Sequence, residues 1–367
     1  LAAVSDNFEV SPMSDKQFEK EFDLLRKRQR PSQKGKLIGE SALDRASIFI
    51  IEFDLFKAPE GKAWLTGERV AYLTRCFSTC EFIIGVNQFG ENTFDLTLRG
   101  HPDSFADLNV GAKQLDNPGL WSDQKKGFRP WYWPQIPNYV KSFRQRTKDV
   151  KEHIDEPISK VLGLEHVMKT FARSSIAFLG KDPNRTTFRE FVLKSGNGLK
   201  RKDKNSDDEV LAMIAASRIS KWLERMILPG QDILIDAPHL AYRFPSLLGG
   251  NKAKVDTWNK TTGFGAIESL GIDYRTISAF KFTKPQWLSR HVWFWRRLSS
   301  CQDIEEVSSP WKREEVEFRF CEDTSSFEKQ QNCTEFVIDS DSPYNRRFIR
   351  RRRFAEVDYV PIVNLMG

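Results

Sequence analysis

The chain has 367 residues, of which 40% are hydrophobic and 12% aromatic, and this composition excludes an intrinsically disordered protein. The net charge of +7 indicates a polyanionic partner. Five cysteines without paired CxxC spacing argue against a zinc cage or a disulfide framework, and no apolar run reaches membrane-spanning length. We therefore expect a cytoplasmic protein with room for two domains and with no metal or other cofactor.

The first part of the chain predicts alternating helices and strands. A charged helix and a basic linker occupy residues 1–45, and the β-rich run SIFIIEFDLF follows at 47–56. The segment TGERVAYLTRCFST at 66–79 has helical spacing, with Thr66 as its N-cap. Two strand patterns, CEFIIGV and TFDLTLRG, come next and are joined by a turn that contains Gly and Asn. This order predicts half of an RRM-like, or ferredoxin-like, sheet in an α+β protein.

The remainder divides into a helical block and a β-rich part. Residues 101–140 are rich in Pro, Gly and Trp and predict loops. Helical periodicity then extends through 138–228, interrupted by the basic loop KSGNGLKRKDKNSDD, and short strand patterns return after Pro229. We predict an RRM-like core formed by 46–137 and 229–367, into which a helical domain is inserted at 138–228.

The C-terminal sequence YNRRFIRRRRFAEVDYVPI places six arginines within eight positions, together with Phe348 and Ile349. Like charges at this density repel one another unless a polyanion neutralises them. A disordered basic tail would lack the apolar residues, whereas this segment continues into a pattern typical of a buried strand. We predict that six arginines lie on ordered structure and face phosphate: Arg346, Arg347, Arg350, Arg351, Arg352 and Arg353.

Three other stretches are also strongly basic. Residues 124–151 contain eight Lys or Arg against one acid, and the loop at 194–208 is rich in lysine. Residues 274–300 contain no acidic residue, and they include Trp287, Trp293 and Trp295. Cations neutralise phosphates, and aromatic rings stack on unpaired bases, so the combination favours RNA or single-stranded DNA, although any single tryptophan is more often a core residue. The candidate nucleic-acid-binding residues are Lys125, Lys126, Arg129, Trp131, Trp133, Lys141, Arg144, Arg146, Lys200, Arg201, Lys202, Lys281, Lys284, Arg290, Arg296 and Arg297.

Glu52 and Asp54 are the sharpest enzymatic candidates. Two residues apart on a strand, they share one face, and in this position they resemble the carboxylates that hold magnesium in the palm of primases and polymerases. SGNGLK likewise resembles the SGxGxH signature of archaeo-eukaryotic primases, with Lys200 in place of histidine. A structural role in pairing arginines is the alternative for the two carboxylates. His101 and His291 are candidates for a general base or for structural hydrogen bonding.

The predicted architecture resembles that of the RRM-based subunits of CRISPR effector complexes. The shared features are an RRM-like half, a large helical insertion, glycine-containing basic loops and a basic β-rich C-terminus. That family holds guide RNA, and some members carry a helical domain that contacts target DNA. The resemblance implies a non-catalytic, RNA- or DNA-binding subunit of a ribonucleoprotein complex in antiviral defence, with other protein subunits as partners. The alternatives are a metal-dependent primase, replication-initiation protein or nuclease of a plasmid or phage that uses Glu52 and Asp54, and a scaffold whose basic face binds an acidic protein.

Overall fold

The structure is a computed structural model, and it describes residues 8–29, 39–52, 55, 66–87, 104–116, 118–121, 135–194, 207–228, 233–236, 282–289, 292–294, 317–321, 326–337 and 347–351. Helices and sheets both occur in these ranges, which confirms the mixed α+β class. The helices described are α1 (Asp15–Gln29), α2 (Gly67–Phe77), α3 (Ala112–Leu115), α4 (Pro118–Trp121), α5 (Ile136–Glu152), α6 (Ile158–Val161), α7 (Arg173–Ala177), α8 (Phe188–Lys194) and α9 (Asp208–Trp222). The strands described are β1 (Ile48–Glu52), β2 (Phe82–Asn87), β3 (Leu108–Gly111), β4 (Leu234–Asp236), β5 (Val292–Phe294), β6 (Phe318–Cys321), β7 (Ser326–Lys329), β8 (Cys333–Val337) and β9 (Arg347–Arg350).

Short π-helical and 3-10 segments lie at the ends of these helices and strands or between them. A π-helical turn at Leu223–Ile227 continues α9, and short 3-10 helices lie at Ala42–Asp44, Met168–Thr170, Pro285–Trp287 and Gln330–Asn332. The predicted N-cap of α2 is confirmed, because the hydroxyl of Thr66 accepts a hydrogen bond from the backbone N–H of Arg69 at 3.3 Å. Among the described residues, every helix is too short or too polar to cross a membrane.

Three parallel strands form the first sheet of the described residues. β2 lies between β1 and β3, with Ile48 opposite Phe82 and Ile84 opposite Leu108. The strand sequences IFIIE and FIIGVN are almost continuously apolar. Such sequences are typical of a parallel sheet that is covered on both faces, because neither set of alternating side chains then meets water.

The β1–α2–β2 unit departs from the RRM-like arrangement that the sequence predicted. In a split βαβ unit of the ferredoxin-like kind, another strand lies between the two strands that the helix connects. Here β1 and β2 are direct neighbours, and the third strand of the described sheet lies within 101–140, for which the sequence predicted loops. The predicted hairpin strand at 93–100 lies outside the described residues.

Helices cover both faces of this sheet. On one face, α4 and the beginning of α5 pack on the strands, and on the other face α2 and α9 do so, with α1 packed on α2. The buried residues of the first face are Phe82, Ile84, Val86, Leu108, Val110, Leu120, Trp121, Ile136 and Val140. Helix α9 is buried along nearly its whole length, so it has no solvent-exposed stripe.

The helical block shares its hydrophobic core with the sheet. One continuous cluster of buried side chains joins Ile51 of β1 and Val70 of α2 to Phe143 of α5 and Ile214 of α9. Trp287, which follows the block by many residues, belongs to the same cluster. The described helices of 138–228 and the sheet are therefore packed in one hydrophobic core, and the predicted domain boundaries stay a prediction.

The C-terminal strands form a second sheet in the order β7–β6–β9–β8. β6 and β7 pair antiparallel, β9 runs parallel to β6, and β8 pairs antiparallel with β9. β4 and β5 form a separate antiparallel pair. Through Leu234, Val292 and Phe294, this pair packs into the core that the three-stranded sheet shares with the helices, which we call the first core. The short strand patterns that the sequence predicted after Pro229 therefore correspond to real strands at these positions.

Gly85 of β2 makes room for the side chain of Asn109, its neighbour on β3. A Cβ atom on Gly85 would overlap Oδ1 of Asn109, which is buried. We expect Gly85→Ala to lower the free energy of unfolding by about 1–3 kcal/mol, because a well-packed side chain must move. Urea unfolding followed by tryptophan fluorescence measures this loss. In an Asn109→Ala background the same change should cost much less, and an equal cost in both backgrounds would contradict the overlap.

Candidate nucleic-acid interface

Helix α5 presents basic residues on one side and apolar residues on the other. Its buried positions recur every three or four residues and include Val140, Phe143 and Val150. Four exposed cations, spaced by three, four and three residues, lie on the opposite side and extend over about 15 Å of helix. We call these residues the α5 stripe: Lys141, Arg144, Lys148 and Lys151.

Acidic neighbours only partly neutralise the α5 stripe. Arg144 forms two hydrogen bonds to Glu81, at 2.6 and 2.7 Å, which raise the pKa of Arg144, yet 61% of its side chain stays exposed. Lys148 is 76% exposed and lies 3.9 Å from Glu152. Ion pairs this exposed are weak, because water and salt screen them, so a phosphate can replace the carboxylate.

The two ends of the α5 stripe differ in their pairing. Lys151 forms an exposed ion pair with Glu209, which raises the pKa of Lys151 through hydrogen bonding. Among the described residues, Lys141 has no ion-pair partner. The stripe therefore offers one cation directly and three that can exchange carboxylate for phosphate.

Arg146 was predicted to contact nucleic acid, and this prediction is wrong. Only 1% of the residue is exposed, and its guanidinium lies over the ring of Tyr139, 4.6 Å from the centroid. Its Nη1 donates a hydrogen bond to the carbonyl oxygen of Gln286 at 2.8 Å. Burial lowers the pKa of Arg146. The residue joins α5 to the segment around Trp287 and cannot reach a phosphate in solution.

Trp287 and Trp293 are core residues. Both are buried, and the ring of Trp287 stacks against that of Phe188, 6.0 Å between centroids. Their basic neighbour Lys284 is half-buried, and its carbonyl oxygen accepts a hydrogen bond from the backbone N–H of Trp287. Within 274–300, the described tryptophans therefore stabilise the fold instead of offering rings to bases.

Many of the predicted residues lie outside the described ranges. They are Lys125, Lys126, Arg129, Trp131, Trp133, Lys200, Arg201, Lys202, Lys281, Arg290, Arg296, Arg297, Arg346, Arg352 and Arg353, together with Asp54, His101 and His291. Their part in binding stays a prediction.

The arginine-rich tail lies on ordered structure where it is described. Residues 347–350 form β9, in which Ile349 is fully buried while Phe348 and Arg350 are half-buried. The guanidinium of Arg319 on β6 lies 5.1 Å from the ring centroid of Phe348. Arg351, directly after the strand, is exposed. Ile349 thus lies on the inward side of the strand, and contact of the arginines with phosphate stays a prediction.

Glu52 lies at the carboxyl end of β1, opposite Val86 near the end of β2. Ligands of open parallel sheets bind at this edge, outside the carboxyl ends of the strands. In the part of the chain that the structure describes, no group of three or more His, Cys, Asp or Glu residues could hold a metal ion.

The sequence reasoning did not predict a buried polar network at the opposite, amino end of the sheet. Asp107 precedes β3, and one carboxylate oxygen, Oδ2, forms an ion pair with Arg75 of α2 and accepts a hydrogen bond from the backbone N–H of Ile83 at 2.8 Å. Its other oxygen, Oδ1, accepts one from the hydroxyl of Ser217 on α9 at 2.5 Å. The side chains of Asp107 and Arg75 are fully buried.

Cations of α9 and its π-helical turn extend this network. Nζ of Lys221 donates to the carbonyl oxygens of Ser104 and Ala106 at 2.6 and 2.5 Å, and Arg225 donates to that of Asp107 at 3.0 Å. Burial lowers the pKa of Lys221 well below its usual value; the carboxylate of Asp107 opposes this effect, and nearby guanidinium groups add to it. The sequence signal was the spacing of three and four residues from Arg218 to Lys221 to Arg225, which places all three on one helix face.

No family model, curated protein or solved structure matches the chain. Its chemistry is therefore inferred from the charged features described above. The network around Asp107 is buried and holds the fold together, whereas the α5 stripe and the end of β9 expose cations to solvent.

Asp107→Asn should lower the free energy of unfolding by about 3–5 kcal/mol, because it leaves the buried guanidinium of Arg75 without a charged partner. Arg75→Met leaves the carboxylate unpaired and should have a similar cost. The double variant removes both charges, so it should lose less than the sum of the two single losses. Urea unfolding of the three variants measures this coupling. Strictly additive losses would show that Asp107 and Arg75 have no coupling free energy.

Lys221→Met tests the effect of the buried lysine on the pH dependence of stability. Because the pKa of Lys221 is lowered in the folded protein, the unfolded chain binds more protons between that lowered pKa and the usual value of 10.5. The contribution of this group to stability therefore increases as the pH rises toward 10.5. We expect the unfolding free energy of the wild type minus that of Lys221→Met to increase from about pH 7 to about pH 10.

Lys148→Met is the matched control, since Lys148 lies on the solvent side of α5 and its side chain is 76% exposed. Its difference from the wild type should stay constant over the same pH range. A constant difference for Lys221→Met as well would mean that the lysine has the same pKa in the folded and unfolded states.

Proposed function

We propose that this protein binds RNA or single-stranded DNA, as a non-catalytic member of a larger assembly. The observation that carries the proposal is the α5 stripe, in which four exposed cations share one side of a helix whose other side is packed into the core. The apolar side fixes the direction in which the cations point. A long anion that lies along α5 therefore meets all four charges.

The spacing of the stripe suits a phosphate backbone. Neighbouring cations are about 4.5–6 Å apart along the helix axis, since each residue rises 1.5 Å. Three of the four are lysines, whose flexible side chains and point charges adapt to a strand without fixing one geometry. Such contacts release counterions and bind nucleic acid irrespective of its sequence.

Aromatic residues that are close to the stripe in the sequence favour an unpaired strand over a duplex. Trp131 and Trp133 precede α5 by only a few residues in the sequence. Rings that lie beside a cationic groove stack on unpaired bases, whereas the bases of a duplex are already stacked. Arg350 and Arg351 provide a further cationic region at the end of β9.

Membership of a CRISPR-type ribonucleoprotein complex stays a prediction. The described sheet, with β1 directly beside β2, lends no support to an RRM-like core. Nucleic-acid binding by α5 does not depend on such a core, because the stripe is formed by a single helix.

Glu52 supports a second candidate function, that of a metal-dependent nuclease or nucleotidyl transferase. The supporting observation is its place at the carboxyl edge of a parallel sheet, with Asp54 two residues farther along the chain. Magnesium-dependent cleavage or synthesis that is lost in Glu52→Gln would favour this function over a purely binding role.

Replacing all four stripe residues with glutamine should weaken binding of a fluorescein-labelled oligo(dU) roughly 100-fold at about 0.1 M salt. The plot of log Kobs against log salt should become less steep by up to about 2.8, because each phosphate contact on a single strand contributes about 0.7. Fluorescence anisotropy across a salt series gives both values, and circular dichroism checks that the variant is folded.

The control removes the same number of charges, three lysines and one arginine, from other exposed positions. These positions are Lys160, Lys169, Arg173 and Lys181. This variant should keep most of the affinity and change the salt slope by less than about one unit. Equal losses in the two variants would show that only net charge matters, and absence of binding by the wild type would overturn the proposal.

A further inference from the structure

Two thiols meet inside the C-terminal sheet. Cys321 is the last residue of β6, Cys333 is the first of β8, and their sulfur atoms are 3.3 Å apart. Both residues are buried, Cys321 completely and Cys333 with 7% of its surface exposed. β9 lies between these two strands in the sheet order. A bond between the sulfurs would therefore link the strands on either side of β9.

We propose that Cys321 and Cys333 form a redox modification site, which small disulfides such as oxidised glutathione convert to an intramolecular disulfide. A disulfide bond is about 2.05 Å long, so the two sulfurs need to approach each other by a little more than about 1 Å. The site does not depend on the proposed nucleic-acid binding. It also differs from a structural disulfide framework, because the two sulfur atoms are not bonded to each other in this structure.

The surroundings assign different roles to the two cysteines. Cys333 begins β8, an outer strand of the sheet in the described order, and it is the one with exposed surface. Its sulfur lies 3.2 Å from the carbonyl oxygen of Lys329, the last residue of β7. Opening of this outer strand exposes Cys333 to a small disulfide, whereas β6 is flanked by β7 and β9 and keeps Cys321 covered.

The reaction is an ordinary thiol–disulfide exchange in two steps. The thiolate of Cys333 attacks one sulfur of the small disulfide, which breaks its S–S bond and releases one small thiolate. The thiolate of Cys321 then attacks Sγ of Cys333 and displaces the second small thiolate. The two cysteines lose two electrons and two protons, and the small disulfide becomes two thiols.

Cys80 serves as an internal comparison. It is fully buried, and burial raises the pKa of its thiol to about 12, so it provides almost no thiolate at neutral pH. Its thiol donates a hydrogen bond to the carbonyl oxygen of Phe82 at 3.5 Å. Cys76 is also buried within the first core. We expect neither of these two cysteines to react under conditions that oxidise the proposed pair.

The test uses the full chain with Cys301→Ser, which removes the fifth cysteine. The folded protein is incubated with oxidised glutathione, denatured in the presence of an alkylating reagent, digested, and analysed by mass spectrometry. We expect a cross-linked pair of peptides that contain Cys321 and Cys333, with Cys76 and Cys80 alkylated. Full alkylation of Cys321 and Cys333 after the incubation would overturn the proposal.

Single variants test the order of the two steps. In Cys321→Ser, glutathione should stay attached to Cys333, because the second thiol is missing. In Cys333→Ser, Cys321 should remain alkylatable and free of glutathione. Glutathione attached to Cys321 in that variant would contradict the assignment of Cys333 as the first cysteine to react.

Hydrogen–deuterium exchange tests the effect on the sheet. After oxidation, the exchange rate of peptides that cover β6, β8 and β9 should fall by up to about tenfold, because the cross-link opposes separation of the strands. Peptides of α5 and α9 serve as the control and should exchange at the same rate before and after oxidation. Unchanged exchange in the C-terminal sheet of the cross-linked protein would show that the bond does not restrain β9.

Discussion

The buried ion pair between Asp107 and Arg75 determines how the layers of the first core fit together. A carboxylate removed from water needs both a charge partner and hydrogen bonds, because its desolvation is otherwise too costly. Asp107 obtains these from three different elements: the guanidinium from α2, the backbone N–H of Ile83 from β2, and the hydroxyl of Ser217 from α9. A shift of β3 by one residue against β2 would move the carboxylate to the other face and leave Arg75 unpaired. The pair therefore specifies strand register as well as stability.

The same requirement divides the basic residues of this chain into two populations. Arg144 and Arg146 are two positions apart on α5, yet the side chain of Arg144 is largely exposed beside Glu81, whereas Arg146 is buried against the ring of Tyr139. In α9, Arg218 and Lys221 are likewise buried, and they donate hydrogen bonds to backbone carbonyl oxygens of the segment before β3. Net charge counts both populations, but only the exposed one can touch a phosphate. The surface available to a polyanion is thus smaller than the composition indicates, and it is more sharply located.

Local patterns were sufficient for the longer helices and for most strands, but not for the short helices α3 and α4, which lie within 101–140, where the sequence predicted loops. Thr66 marks the start of α2, and the apolar runs of β1 and β2 occur where the sequence places them, because capping and periodicity depend on near neighbours. β3 was missed because LNVG is short and lies among residues typical of loops, and its formation depends on pairing with β2. Direct contact of β1 with β2 was missed for a similar reason, since periodicity specifies strands but not which strands become neighbours. The exposed face of α5 was predictable in outline, whereas the burial of Arg146 depends on a distant segment around Gln286.

The shared core of helices and sheet has a consequence for how this architecture can change during evolution. Insertions that carry their own core can be gained, lost or exchanged between lineages without disturbing the host fold. Here α9 is buried on all sides and packs beside α5 and α2, so its removal would expose the face of the sheet that it covers. Substitutions in the helical block and in the strands beneath it must therefore accommodate one another. We expect related sequences to preserve the two segments together, with length variation confined to the connections between them.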